Sequence, residues 1–187
     1  PRPAEFVPPP PGHLDELVGD FCAFVNRDDV PPLAQAAIAH AQFLTICPFW
    51  DGNGRTGRWL IHAILRRRGL LRTSIPPVSS VLAVNRRSYL DSLAIFRNGQ
   101  ITDYCAEFAQ AVKKAASQAV RLAGQCEQLL NQWRKRLGRV RSGSAAQRLL
   151  RVLLDRPVLD AKLAEDVLAV SDEAARLGLI SLENAGI

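Results

Sequence analysis

Cys47-Pro48-Phe49-Trp50-Asp51-Gly52-Asn53-Gly54-Arg55-Thr56-Gly57-Arg58, running straight into the apolar segment Trp59 to Leu65, is the stretch from which the rest of the chain can be ordered. Glycines on either side of Asn53 let successive backbone N–H groups turn into a concavity, and the N-terminus of a following helix adds its positive dipole end there. Such a turn suits an anion. Arg55 and Arg58, three apart, project from one helix face and offer planar, permanently charged forks to phosphate oxygens. The carboxylate of Asp51 suits a hard Mg²⁺ ion bridging those phosphates. The stretch reads as a nucleotide site with a metal.

Working outward, Leu33 to Ile46 is alanine-rich and apolar on most sides, which predicts a helix at the buried centre of a bundle. The motif turn leads into a helix from about Gly54 to Arg68, closed by Gly69 in the left-handed cap position. Upstream, the prolines at 8 to 11 exclude a helix and read as an extended lead-in, followed by a helical stripe of Leu14, Leu17, Val18, Phe21, Phe24 and Val25 that Asn26 to Pro32 breaks. Downstream, Pro76-Pro77 precedes helices at about 79–84 and 86–97, and Thr102 is expected to cap a long helix reaching past Trp133. No alternating strand pattern occurs, so the expected fold class is all-α. The basic, flexible interval Gly138 to Ser144 predicts a boundary, giving domains at 1–137 and 144–187 with a linker at 138–143. The second domain reads as helices at about 144–154, 159–168 and 172–183, the last two joined by a turn at Val170-Ser171 in a helix-turn-helix pattern.

The chain has 187 residues, 48% hydrophobic and 22% charged, which places it among ordinary globular proteins with room for one good core and a small appended module. No segment reaches the roughly 18 to 20 uncharged apolar residues that span a bilayer, so no membrane helix is expected. The chain begins at Pro1 without a charged-then-apolar leader, which argues against a signal peptide and suggests that an N-terminal part is missing. Cys22, Cys47, Cys105 and Cys126 are widely and unequally spaced, with no C-x-x-C pair for zinc and no dense disulfide framework, and a reducing cytoplasm is the expected home. The net charge of +6 comes from arginine excess. The arginines at 66–68 and within 134–141 could meet nucleic acid or solvate helix faces, and the second reading is favoured.

The quoted stretch resembles the signature of the Fic (Fido) family, H-P-F-x-D/E-G-N-G-R-x-x-R, at every position except the first, where Cys47 stands. The likeness extends to Phe6-Val7-Pro8-Pro9-Pro10-Pro11, Ala39-His40-Ala41-Gln42-Phe43 and Asn85-Arg86-Arg87-Ser88-Tyr89-Leu90, covering roughly residues 5 to 115. The resemblance implies a helical bundle that transfers AMP from ATP to a hydroxyl of a protein target. It implies an anion cradle from Gly52, Asn53 and Gly54, Mg²⁺ on Asp51, and the β- and γ-phosphates on Arg55 and Arg58, the second of which an inhibitory glutamate captures in the family. Gly54 is closer to adenylylating members than to the phosphotransferring branch, where a lysine sits. Asn85 and Tyr89 match positions near the adenine pocket, although Tyr89 at helical spacing from Leu82 and Leu93 is as readily core. Phe49 is expected to anchor the turn in the core, Trp50 to be a lid or a surface aromatic, and His40 and His62 to be structural.

The family histidine takes the proton of the attacking hydroxyl, a task for a base near ~6.5, whereas an unperturbed thiol titrates near ~8.5. With Cys47 at the general-base position three readings stand: lost catalysis with retained nucleotide binding, slow transfer, or new thiolate chemistry. The competing function is a non-catalytic nucleotide-binding regulator, touching DNA through a C-terminal module that resembles a winged helix lacking its wing. The helix expected to read DNA carries Asp172, Glu173 and Glu183 against Arg176 alone, so packing or homodimerisation is at least as well supported as DNA binding. The family's inhibitory S/T-x-x-x-E-G/N pattern does not occur in the sequence, which leaves that role to a missing N-terminal helix or to a partner.

Overall fold

The computed structural model describes residues 6–187; residues 1–5, with which the expected first domain begins, lie outside the described residues. Among the described residues the chain is all-α, with no strand. A short 3₁₀ turn at Pro11–His13 leads into α1 (Leu14–Val25), α2 (Pro32–Ile46), α3 (Asn53–Arg67), α4 (Val78–Val84), α5 (Arg86–Arg97), α6 (Ile101–Leu137), α7 (Ala145–Asp155), α8 (Ala161–Leu168) and α9 (Asp172–Asn184). Two compact units divide the chain, Pro1–Ala119 and Val120–Ile187, with the division inside α6. No helix among the described residues is long and apolar enough to cross a membrane.

In the first unit α2 is the central helix, as its composition predicts. Gln35, Ala36, Ala37, Ala39, His40, Ala41, Phe43 and Ile46 are all buried, so nearly its whole circumference is covered. The alanines lose no side-chain entropy on burial and let neighbouring helices come close. The closest approach falls at Gly57 of α3, where an added Cβ would lie 3.2 Å from a Leu44 methyl and 3.3 Å from the His40 ring. Ile61, Ile64 and Leu65 continue that contact into a core that also holds Phe21, Val78, Leu93, Tyr104 and Phe108.

The arginines of 66–68 do something the sequence does not suggest. The last carbonyls of α1 have no intrahelical partners. Gln35 donates its amide to the carbonyls of Phe24, Val25 and Arg27 at 3.0, 3.3 and 2.7 Å. Arg67 and Arg68 close the same group, Arg67 donating to Val25 and Arg27 and Arg68 to Arg27, Asp28 and the Gln35 side-chain oxygen at 2.7 Å. These two guanidiniums cap a helix end, although Arg67 is exposed like Arg66 and only Arg68 is half-buried.

In the second unit α7, α8 and α9 pack with Leu130, Trp133 and Leu137 from the end of α6 around Leu149, Leu150, Leu168 and Leu182. Each of the three helices opens on a side-chain cap, Ser144, Asp160 and Ser171 accepting the N–H of Gln147, Leu163 and Ala174. Gly178 is pressed against α7, where an added Cβ would stand 2.9 Å from the Ala145 Cβ and 3.1 Å from the Ala146 backbone nitrogen. Thr102 does not cap α6, because the chain leaves the Asn98-Gly99 turn already bonded through Ile101 to the Gly99 carbonyl and the helix begins one residue earlier.

Candidate functional site

The motif turn is built from two left-handed residues. Helix α2 ends at Cys47, whose backbone lies at φ 53°, ψ 56° while its N–H donates to the Phe43 carbonyl at 2.9 Å. A side chain in that region costs on the order of 1–2 kcal/mol, which is why glycine or asparagine normally stands there. Gly52, at φ 88°, then turns the chain into α3 without strain and without a side-chain cap. From the first position of α3 Asn53 locks the loop: its Oδ1 accepts the Phe49 N–H at 3.0 Å and its Nδ2 donates to the Phe49 carbonyl at 2.6 Å. The Asn53 amide is thus engaged on both sides in shaping the turn. The Phe49 ring is 52% exposed, touching the core only edge-on at Phe43 with centroids 5.9 Å apart, so this segment is anchored by its backbone and not by the buried ring the sequence predicts. Trp50 is wholly exposed.

Of the two motif arginines, Arg55 points into solvent and pairs with Asp51 at 3.0 Å. An exposed pair of this kind is worth less than about 1 kcal/mol and opens readily to a better ligand. Arg58 folds back over the turn, its Nη1 3.3 Å from where a Cβ on Gly54 would sit. Gly54 and Arg58 border a cavity of about 690 Å³, together with Leu44, Tyr89 and two further arginines, Arg86 and Arg97. Among the described residues none of Arg58, Arg86 and Arg97 pairs with a carboxylate, and no acidic residue lines the cavity. Arg97 reaches Thr45 at 3.3 Å, and the Phe6 ring covers its guanidinium at 3.6 Å from the ring centre; burial pulls its pKa below the ordinary arginine value. Leu82, Ala83, Leu90 and Leu93 supply the apolar wall.

Behind the cavity lies His40, fully buried, with one ring nitrogen 2.8 Å from the Gly57 carbonyl and the other 3.0 Å from the Tyr89 hydroxyl. Burial first, and the Arg58 charge as well, push its pKa down to about 4, against the raising influence of the Gly57 carbonyl. Tyr89 is pushed up to about 12 by burial, with Arg58 and Arg97 pulling the other way. Asn85 is placed elsewhere. Its Oδ1 accepts the Ser88 N–H at 3.1 Å as the cap of α5, and it borders a second cavity of about 310 Å³ with Tyr104 and Glu107. His62 borders a third, of about 210 Å³, where its Nδ1 has no hydrogen-bond partner.

Of the residues marked out in the sequence, the structure gathers Gly54, Arg58 and Tyr89 at one cavity and sets Asp51 and Arg55 as a pair at the turn's outer side. Arg86 and Arg97 escape a reading centred on the motif. Their signal is present in the spacing: Arg86, Leu90, Leu93 and Arg97 fall four, three and four apart and share one face of α5.

Residues 2–65 match the Fic/DOC family. The chain is similar to protein adenylyltransferase Fic of Culex quinquefasciatus, 33% identical over 111 residues that make up 58% of this chain and 21% of that protein. It is likewise similar to protein adenylyltransferase Fic of Aedes aegypti, 34% identical with the same coverage, and to protein adenylyltransferase fic-1 of Caenorhabditis elegans, 34% identical over 53% of this chain and 19% of that protein. The chain thus spans about a fifth of the length of these relatives. The turn of Cys47 to Arg58, with α1, α2 and most of α3, lies inside a segment that matches the Fic/DOC family, and the likeness to Fic adenylyltransferases covers somewhat more than half of the chain.

Proposed function

We propose that this chain binds ATP with Mg²⁺ at the 51–58 turn and the adjoining cavity, on a scaffold for AMP transfer to a hydroxyl of a protein target in which Cys47 weakens the proton-removing step. One observation carries the reading: three guanidiniums, Arg58, Arg86 and Arg97, without carboxylate partners among the described residues, border a cavity whose other lining is mostly apolar, with Ser79, Ser80 and Tyr89 as its hydroxyl-bearing residues. A site with unbalanced positive charge and a greasy side suits a ligand that is polyanionic at one end and flat and apolar at the other. A nucleoside triphosphate has that form. Asp51 is a single carboxylate, and among the described residues no cluster of three or more acidic, histidine or cysteine side chains could hold a metal by itself. This fits Mg²⁺, which is commonly held by one or two carboxylates and otherwise by substrate phosphates. The ion would neutralise phosphate charge there.

In the transfer, the target oxygen bonds to the α-phosphorus, the bond from that phosphorus to the bridging oxygen breaks, and pyrophosphate leaves. The hydroxyl proton must go to a base, and Cys47 occupies the family's position for it. A thiol performs that step poorly near neutral pH, so binding is expected to be better preserved than turnover. The same fact supports a second reading, a nucleotide-binding regulator without transfer. The C-terminal unit adds little support for DNA as that regulator's partner, since Arg176, the sole basic residue of α9, is bonded to Asp172 at 2.7 Å.

Calorimetry with ATP and Mg²⁺ tests the site. The native chain is expected to bind, and Arg58→Ala to weaken binding by roughly 10-fold or more, the worth of a charge-assisted contact. Unchanged affinity would move the nucleotide elsewhere. Transfer of label from ATP to protein in a lysate separates enzyme from regulator.

A further inference from the structure

We infer that His40 is a positioning residue, which sets Arg58 for phosphate through the Gly57 carbonyl on one side and the Tyr89 hydroxyl on the other. This rests on the nucleotide reading of the cavity. A carbonyl can only accept, so the 2.8 Å contact at Gly57 requires the hydrogen on Nδ1 of His40. Nε2 is then bare and accepts the Tyr89 O–H at 3.0 Å. With its hydrogen committed inward, the Tyr89 oxygen can only accept on the side of the cavity it lines together with Arg58, whose charge pulls the Tyr89 pKa down against burial.

Arg58 is therefore held at two points. Gly57 is its immediate neighbour in the chain, and the close α2–α3 approach that Gly57 permits brings that carbonyl to the histidine. The second point is the Tyr89 oxygen, an acceptor on the wall of the same cavity toward which the guanidinium is drawn. A guanidinium on a flexible stem loses rotamer freedom when it grips phosphate, and fixing it beforehand removes part of that cost. The depressed pKa of His40 keeps the ring neutral over the working range, so the donor and acceptor roles do not interchange.

Tyr89→Phe removes the hydroxyl and keeps the ring. Affinity for ATP with Mg²⁺ is expected to fall about 3- to 10-fold and affinity for AMP to fall by less, because Arg58 is assigned to the outer phosphates while Tyr89 borders the cavity for either nucleotide. In an Arg58→Ala background the same substitution should cost nothing more. His40→Gln, which retains one donor and one acceptor, should keep part of the ATP-over-AMP preference that His40→Leu loses. Equal losses for ATP and AMP, or full additivity with Arg58→Ala, would overturn the inference and leave Tyr89 as a ligand contact or a core residue.

Should the native chain bind neither nucleotide, the reading of the cavity fails, and the free protein still decides the relay. Nitrogen-15 spectra are expected to show His40 protonated on Nδ1 alone between pH 5 and 8, and Tyr89→Phe to shift its Nε2 signal and speed exchange of the Arg58 side-chain N–H. An Nε2–H tautomer, or unchanged Arg58 exchange, would refute it.

Discussion

Helices α2 and α8 end in the same backbone geometry, Cys47 at φ 53°, ψ 56° and Ala169 at φ 51°, ψ 54°, each with its N–H on the carbonyl four residues back. Both place a Cβ where glycine is preferred, so both store a similar small strain. The two ends differ in the chain beyond them. After Ala169 the chain closes on itself: Arg148 donates to the Leu168 carbonyl, Val170 to Glu165, and Ser171 caps α9. After Cys47, Asn53 holds the loop from within, Gly52 opens α3 with no side-chain cap, and uncompensated arginines border the adjoining space. One strained helix end is self-satisfied and the other adjoins a cavity bordered by arginines that have no carboxylate partner among the described residues. Backbone strain alone therefore does not distinguish the two ends; the charge beside them does.

The largest test of this contrast is Cys47→His. If the thiol merely fails as a base in an otherwise complete site, protein labelling from ATP should rise by roughly 10²- to 10⁴-fold, and Cys47→Ala should be no worse than the native chain. Substitutions at Ala169 should leave labelling untouched. Activity in the native chain that both Cys47 variants lose would instead make the thiolate a participant, and labelling by none of them despite ATP binding would place the fault outside the base.

Acid should separate the two units next. His40 titrates near ~6.5 when unfolded and at about 4 in the folded chain, so between those values the unfolded state binds the extra proton and stability falls with pH. The loss by the lower end is on the order of 3 kcal/mol, and none arises from this ring above pH 6.5. All three histidines, His13, His40 and His62, lie before residue 120. Denaturant midpoints followed by a probe in each unit should show the first unit weakening between pH 6.5 and 5 while the second holds, and His40→Gln should flatten the difference. An equal decline in both would remove His40 as the cause.

A methyl group added to either tight glycine compares the two packings. Gly178→Ala would drive a Cβ onto backbone at the start of α7 and should cost about 1–3 kcal/mol, whereas Gly57→Ala meets the tip of Leu44 and the His40 ring and should cost less in stability than in nucleotide affinity. Thermal melts with binding curves rank the two. The smallest effect is relief of the shared strain: Ala169→Gly and Cys47→Gly should each stabilise by about 1 kcal/mol or less, glycine's greater unfolded-state freedom offsetting part of the gain. A gain at Ala169 without one at Cys47 would mean that contacts around the motif already favour the left-handed turn.

Periodicity and breakers were enough to place the α-helices within about two residues, because prolines, glycines and capping side chains act locally, while the 3₁₀ turn at Pro11–His13 starts inside the proline run read as extended. Thr102 is the exception, since the neighbouring Asn98-Gly99 turn started α6 before a threonine cap could act. The motif led to the expectation of an anion site through residue types alone, and Gly54 and Arg58 from it border the cavity. Its partners were hidden. Arg86 and Arg97 are 28 and 39 residues beyond Arg58, and Asn85, equally prominent in the sequence, was taken up by capping α5.

The sequence by itself determined an all-α chain, a glycine turn opening α3 and the absence of imidazole at position 47, because these depend on local propensity, glycine geometry and side-chain chemistry. Tertiary structure decided which charges remain free. Arg67 and Arg68 were spent on the carbonyls ending α1, Arg55 on Asp51, and Arg176 on Asp172, while Arg58, Arg86 and Arg97 were left around one cavity. A guanidinium reads the same in sequence whether or not it has a partner. Only packing, by bringing distant carbonyls and carboxylates within about 3 Å, settles which arginines are paired within the fold.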